Sequence, residues 1–415
     1  MKRIIFILTS LMLGVCAWAQ TGNPIIYYST GEDGTANEDY VLPDLLTSRD
    51  GKKISTARMW EKVRRPELLS IFETEMYGKV PGRPEGLHFA RICPDSLVYG
   101  GAAVRSRIRI WLDASEQHHF DMLVHLPSEH QGRIPMFVGL NFRSLDDCLE
   151  LNRHTWPFEL ITKEGFGVAV AFHTSIEQDG QEYEGIPSAA VRSWYRPADE
   201  WGAISAWAWG ISRMIDWFET VPVIDMDRIA VIGHSRLGKT ALWASANDSR
   251  ISLAVSNCSG CCGAAISRRM YGETFEAIQR NFPYWFVPRF REYSGREDMF
   301  PTDQHALIAL SAPRPVYVAS ADEDDWADPI GEWTAAYEAG PVYGLYGLDG
   351  LSCRSMQPNG HTDDYGSVAY KIRNGIHAMW PDDWYDYIKF AKSSSISTNS
   401  IAGIVFSMTD GKLKT

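Results

Sequence analysis

The chain has 415 residues, 45% of them hydrophobic and 12% aromatic, which is enough apolar material for a large packed core. Its formal net charge is −12, so it carries no electrostatic footprint for nucleic acid, and anionic polymers are excluded as generic partners unless a local cationic pocket receives them.

Met1-Lys-Arg3 is a basic start, Ile4 to Val15 is apolar but too short to span a bilayer comfortably, and Ala17-Trp-Ala19 forms an A-x-A cleavage site. Together they read as a secretory signal peptide over residues 1–19. No later stretch is apolar enough for a membrane span, so the expected product is exported, to the periplasm or beyond, with residues 20–392 as its folded part. Residues 393–415, with their Ser-rich start, are expected to be a poorly ordered tail.

Residues about 20–60 are polar and turn-rich and are expected to wrap the surface. Arg65 to Tyr77 has helical spacing. Val104 to Leu112 and Phe120 to Leu126 alternate and suggest antiparallel strands. Buried strands are then predicted at Ile134 to Leu140, Phe166 to Phe172, Ile229 to Ile232, Ile251 to Ser256, Pro315 to Ser320 and Val368 to Ile372. Between them lie a long helix from Trp201 to Val221, with apolar residues on one face, and a helix from about Leu237; Asp382 to Ala391 closes as a helix. Strands alternating with helices predict a mostly parallel sheet in a three-layer sandwich. Two insertions, Asn141 to Thr162 and the aromatic-rich Ser259 to Gln304, fall where loops shape sites.

Gly233-His-Ser-Arg-Leu-Gly238-Lys239-Thr240 is where two chemistries compete. It satisfies the phosphate-loop pattern G-x-x-x-x-G-K-[ST] in full, and the nucleophile-elbow pattern G-x-S-x-G only in part, because Leu237 stands where the second Gly should be. Export argues against the nucleotide reading, since ATP and GTP are scarce outside the cytoplasm. A serine nucleophile needs an imidazole to take its proton and a carboxylate to hold the imidazole's tautomer, in the chain order Ser, acid, His. After Ser235 the histidines are His305, His361 and His377; His377 occupies the loop between the last strand and the last helix, where the base belongs, and His361 ranks second. The acid is expected after the strand ending at Ser320, where Ala321-Asp-Glu-Asp-Asp-Trp-Ala-Asp-Pro329 offers several carboxylates that could equally form a Ca²⁺ loop. Cys258 and Cys261 have C-x-x-C spacing, but no second pair or nearby His completes a zinc set.

The chain resembles the bacterial branch of the glucuronoyl esterases, carbohydrate esterase family fifteen. The resemblance runs from about Gly139 to Trp384 and rests on Gly-Leu-Asn-Phe142, Trp201 to Arg213, Gly-His-Ser-Arg-Leu-Gly-Lys239, Ser259 to Ala265, Tyr271-Gly-Glu-Thr274, Asp324 to Pro329, and His377 with Pro-Asp-Asp-Trp384. It implies an α/β-hydrolase fold and hydrolysis of esters between glucuronic acid (4-O-methyl-glucuronoyl) side chains of xylan and lignin alcohols, with no metal or organic cofactor. Ser235 would be the nucleophile, His377 the base and Arg236 an oxyanion stabiliser. Lys239, Glu273 and Trp326 would hold the sugar. Many members carry the acid where this chain has Cys258; others place it on the next strand's loop, which matches Asp324. Arg143-Ser144 departs from the Gly-Asn frequent in relatives. The expected substrate is a glucuronoxylan or lignin–carbohydrate ester and the expected state a monomer. Competing readings are a carbohydrate acetyl esterase or broader carboxylesterase of the same fold, a nucleotide binder, and a catalytically silent carbohydrate-binding relative.

Overall fold

The computed structural model describes residues 36, 39–150, 155–180, 201–353, 355, 356, 359–364 and 366–394. The signal peptide and nearly all of the C-terminal tail expected from the sequence lie outside them.

Among the described residues eleven strands form one sheet: β1 (His88–Arg91), β2 (Ser96–Val98), β3 (Ala103–Trp111), β4 (His119–Pro127), β5 (Ile134–Asn141), β6 (Gly167–Phe172), β7 (Ile224–His234), β8 (Leu253–Asn257), β9 (Val316–Ala321), β10 (Thr362–Asp363) and β11 (Val368–Arg373). Their order is β1-β3-β4-β6-β5-β7-β8-β9-β11-β10, with β2 beside β3. From β6 to β11 every pairing is parallel, and antiparallel strands flank that block at both ends. The predicted strands are all present, and so is the antiparallel pair β3–β4.

The alternation of side chains along the parallel strands divides the core in two. Val138, Val231, Ala254 and Val318 face one layer, while Phe137, Ile232, Val255 and Tyr317 face the other. The first layer holds helices α1 (Arg65–Glu75), α2 (Ala203–Phe218), α3 (Arg236–Asn247) and α4 (Pro329–Glu338); the second holds α5 (Pro381–Ser393) through Trp384, Tyr387, Ile388 and Phe390. This is the sandwich expected, with helices on both faces.

Helix α2 departs from the one-sided pattern read from its sequence, because all of its residues are buried. Its polar groups are satisfied inside: Arg213 Nε donates to Asp216 Oδ2 at 2.6 Å, and Trp207 Nε1 to the Glu177 carbonyl at 2.8 Å. An apolar stripe under-reports burial when the opposite face finds such partners. The N-terminal lead-in also does more than wrap the surface. Leu45, Ile54 and Trp60 enter the main core, and the buried His305 faces the Pro43 carbonyl at 2.9 Å through Nε2. That contact assigns one histidine candidate to anchoring, and His361 lies exposed. The cysteines among the described residues are all free thiols.

Candidate functional site

The parallel strands end on one rim, and the candidate residues gather there. Strand β7 runs into α3 through Ser235, which has φ 58° and ψ −130°. A non-glycine residue held there is strained, and the surroundings must enforce it. The enforcement is visible in the close packing of the turn. A Cβ on Gly233 would meet the Leu237 carbonyl oxygen at 1.8 Å, and one on Gly238 would meet Ser259 Cβ at 2.9 Å. The Ser235 amide donates to the Asn257 carbonyl of β8 at 2.9 Å, and its own carbonyl accepts from the Gly238 and Lys239 amides. The result is a serine on a sharp strand-to-helix corner, with the Arg236 amide at the first position of the helix. Helix α3 thus begins one residue before the predicted Leu237.

His377 and Asp324 arrive from two loops pinned to each other. After β9, the Asp322 amide donates to the Arg373 carbonyl and the Glu323 amide to the Gly375 carbonyl. Arg373 Nη2 donates to the carbonyls of Ile376 at 2.8 Å and Ala378 at 2.6 Å, bracketing His377. Within this frame His377 Nδ1 sits 2.5 Å from Asp324 Oδ2. Burial alone would raise the Asp324 carboxyl, but its hydrogen bond to His377 and the charge of that ring bring it below the usual range. The His377 ring lies against that of His234, centroids 4.5 Å apart, beside the serine in sequence. His234 Nδ1–H donates to Asn257 Oδ1 at 2.6 Å, whose amide donates to the Tyr387 hydroxyl. Burial, and then the neighbouring His377, push His234 down to about 3, so it is a neutral wall of the site.

The other acids of the loop are engaged separately. Asp322 Oδ1 accepts from the Gly375 amide, Asp325 from the Tyr271 hydroxyl, and Asp328 from Arg269 Nε and the Gly331 amide. Among the described residues their carboxylates do not converge on one point as a Ca²⁺ loop requires.

Arg236 extends from the first turn of α3 and is gripped on several sides. Its Nη1 donates to Asp179 Oδ2 in a short ion pair. Its guanidinium carbon lies 4.6 Å from the Trp285 ring centroid and 5.1 Å from that of Phe282, rings that stack on each other at 3.9 Å. Asp179 also accepts from Trp285 Nε1 at 2.8 Å and faces His173 Nε2 at 3.1 Å, while His173 Nδ1 faces the Asn141 carbonyl at 2.9 Å. Burial would raise the Asp179 carboxyl, but Arg236, His173 and Trp285 together hold it well below the usual carboxylate range. Asp179, His173 and Trp285 were not singled out by sequence. Trp285 lies in the aromatic insertion expected to shape the site, whereas nothing about Asp179 in its own stretch marks it.

Lys239 and Glu273 are both buried and face each other at 3.4 Å, with Lys239 Nζ also donating to the Ser259 carbonyl at 2.5 Å. Burial raises the Glu273 carboxyl despite the neighbouring Lys239. The Glu273 amide donates to the carbonyl of the part-exposed Trp326 at 2.9 Å, so these two candidates are neighbours. One further carboxyl supports the rim. Glu332 of α4, fully buried, accepts from the Ser259 and Gly260 amides at 2.7 and 2.9 Å and from the Ser320 hydroxyl at 2.5 Å, and burial pushes it up to about 8.

A family model described as glucuronyl esterase, fungi, matches residues 111–347. A carbohydrate esterase from an unknown prokaryotic organism is 38% identical over 94% of this chain and 96% of its own. A 4-O-methyl-glucuronoyl methylesterase of Neurospora crassa is 28% identical over 74% of this chain and 73% of its own. Among solved structures the chain is similar to a promiscuous CE15 esterase from a marine bacterial metagenome, with TM-score 0.78 and 38% identity over 86% of this chain and 97% of that one. It is also similar to a glucuronoyl esterase from Solibacter usitatus, with TM-score 0.80 and 36% identity over 86% and 98%.

Proposed function

We propose, since the chain belongs to the glucuronoyl esterases of carbohydrate esterase family fifteen, that it hydrolyses glucuronoyl esters through an acyl-enzyme on Ser235. Enzymes of this family are carboxylic ester hydrolases, and the fold is that of the α/β-hydrolases. The observation that carries the residue assignment is the 2.5 Å contact between His377 Nδ1 and Asp324 Oδ2. It occupies one ring nitrogen with the carboxylate and leaves Nε2 as the proton acceptor.

In the first half-reaction the Ser235 oxygen attacks the uronate carbonyl carbon as its proton passes to His377 Nε2. The carbonyl oxygen becomes an oxyanion beside the Arg236 guanidinium and the Arg236 amide. One such preorganised donor contributes about 3 kcal/mol to the transition state. Collapse breaks the bond to the alcohol oxygen, which takes the proton from His377. Water then attacks the acyl-enzyme by the same route and releases the uronic acid. Lys239 and Glu273 bind sugar hydroxyls and Trp326 offers a ring face. The substrate is a glucuronoyl ester of xylan with a lignin alcohol, and the protein meets it outside the cytoplasm after removal of residues 1–19. Among the described residues no helix is long and apolar enough to cross a membrane.

The test is hydrolysis of benzyl glucuronate by the purified protein, with Ser235→Ala as control. Activity on acetylated xylan but none on glucuronate esters would overturn the substrate assignment. A broader carboxylesterase is the second reading, favoured by the likeness to a promiscuous CE15 esterase that is 38% identical.

A further inference from the structure

Cys258 plays no part in the ester hydrolysis proposed above, yet its thiol stands beside the acid and the base. It directly follows β8 with φ 46° and is 1% exposed. Its amide donates to the Ala319 carbonyl of β9 at 2.7 Å, and the next two amides are held by Glu332. The backbone that carries the thiol is therefore held on both sides, by the Ala319 carbonyl and by the Glu332 carboxylate. Its sulfur, an Asp324 carboxylate oxygen and a His377 ring nitrogen all lie within 4.8 Å of one another. A tetrahedral ion with bonds of about 2.0–2.3 Å separates its ligands by about 3.3–3.8 Å, so small side-chain rotations would bring all three onto one centre. His377 is 36% exposed, and solvent reaches the group from its side.

The chemistry of the three ligands is selective. A thiolate and an imidazole favour Zn²⁺-like ions, and Mg²⁺ or Ca²⁺ would find a single oxygen. One divalent ion, one thiolate, one carboxylate and one neutral imidazole sum to zero charge, which suits a buried centre. Binding displaces the thiol proton to solvent. It also moves the ring proton of His377 from Nδ1 to Nε2, because the metal takes the lone pair at Nδ1. An imidazole in that tautomer has no acceptor left for the serine proton.

We propose that Cys258, Asp324 and His377 form a reversible inhibitory site for a thiophilic divalent cation of the Zn²⁺ class. The inhibitory part rests on His377 being the base. The test pairs two readouts on the purified protein: the near-ultraviolet thiolate-to-Co²⁺ charge-transfer band, and glucuronate ester hydrolysis under Zn²⁺. The expected result is a Co²⁺ band that Zn²⁺ removes, slowing by Zn²⁺ that a chelator reverses, and no effect of Mg²⁺ or Ca²⁺. Cys258→Ser and Cys258→Ala, each read against its own metal-free rate and checked for unchanged thermal unfolding, should lose the band and raise the inhibitory Zn²⁺ concentration at least about tenfold. The exposed Cys93 and part-exposed Cys353 set the background that these variants retain. A band or an inhibition that survives loss of the thiol overturns the site and leaves the esterase reading standing. A Cys258-dependent band with undiminished hydrolysis overturns the inhibition, because the ion then binds without engaging His377, and the assignment of His377 as the base is tested separately by its own variant.

Discussion

The two side chains proposed to serve Ser235 are held in opposite ways. Arg236 is clamped by the Asp179 ion pair and by stacked aromatic faces, and Asp179 is itself gripped by Trp285 and His173. His377 has one hydrogen bond to Asp324, a ring contact with His234, and an edge open to solvent. The contrast suits the work proposed for each. A group that stabilises developing charge is most effective when it does not reorganise during the reaction. A base must pass a proton between nucleophile, leaving group and water, and needs freedom at one nitrogen.

Breaking the mobile side should have the largest effect. Ser235→Ala and His377→Ala should each lower kcat by about 10⁴-fold or more in steady-state hydrolysis, and the double variant should be scarcely worse, because the two act as a unit. Asp324→Ala should lose about 10–100-fold less than either, as removal of an orienting carboxylate does; if it is silent while another acid of the loop is essential, the base side has been assembled wrongly. On the clamped side, Arg236→Ala should cost about 10²–10³-fold in kcat. Arg236→Lys should restore little, because an ammonium cannot reproduce a planar fork lying on two rings.

Asp179→Asn sharpens the comparison, since it keeps the shape of the clamp and removes its charge. A fall of about tenfold to 100-fold in kcat with KM little changed is expected, with partial rescue by Asp179→Glu. An equal change in KM and kcat would make Asp179 a part of sugar binding instead. The smallest effect is on stability and falls between the two sides, at Glu332. Its carboxyl titrates near 8 in the fold against an ordinary 4.5. The folded state therefore binds more protons than the unfolded chain across that window, so its contribution to stability is present below about 4.5 and is lost as pH rises towards 8. Glu332→Gln should thus gain in Tm relative to the parent as pH rises through that range; a difference that is flat with pH would show that Glu332 does not titrate there.

Much of this was legible beforehand because it is carried by local pattern. Runs such as Ile134 to Leu140 and Pro315 to Ser320 are β-branched and bounded by turn residues, and they became strands within a residue or two. The corner at Ser235 and the loop position of His377 follow from chain order in such a sheet. What could not be read was produced by distant elements meeting. Asp179 follows β6, Arg236 opens α3 and Trp285 sits in an insertion, and only the strand order brings them together. Likewise Cys258 was weighed against Cys261, its neighbour in sequence, while its neighbours in space are Asp324 and His377. The choice of Asp324 from a run of acids needed the family resemblance, because only the loop's own hydrogen bonds separate it from Asp322, Asp325 and Asp328.

The lysine at the mouth of α3 has a wider consequence. In a nucleotide loop the residue after the second glycine projects towards phosphate, and the glycines leave room for it. Here that ammonium is tethered to the Ser259 carbonyl and faces Glu273, and the glycines make room for neighbouring backbone and Ser259. One short string of letters thus serves two unrelated anatomies, and genome surveys that sort chains by that string will file ester hydrolases of this family among the ATPases. Requiring that no acid stand opposite the lysine would separate the two.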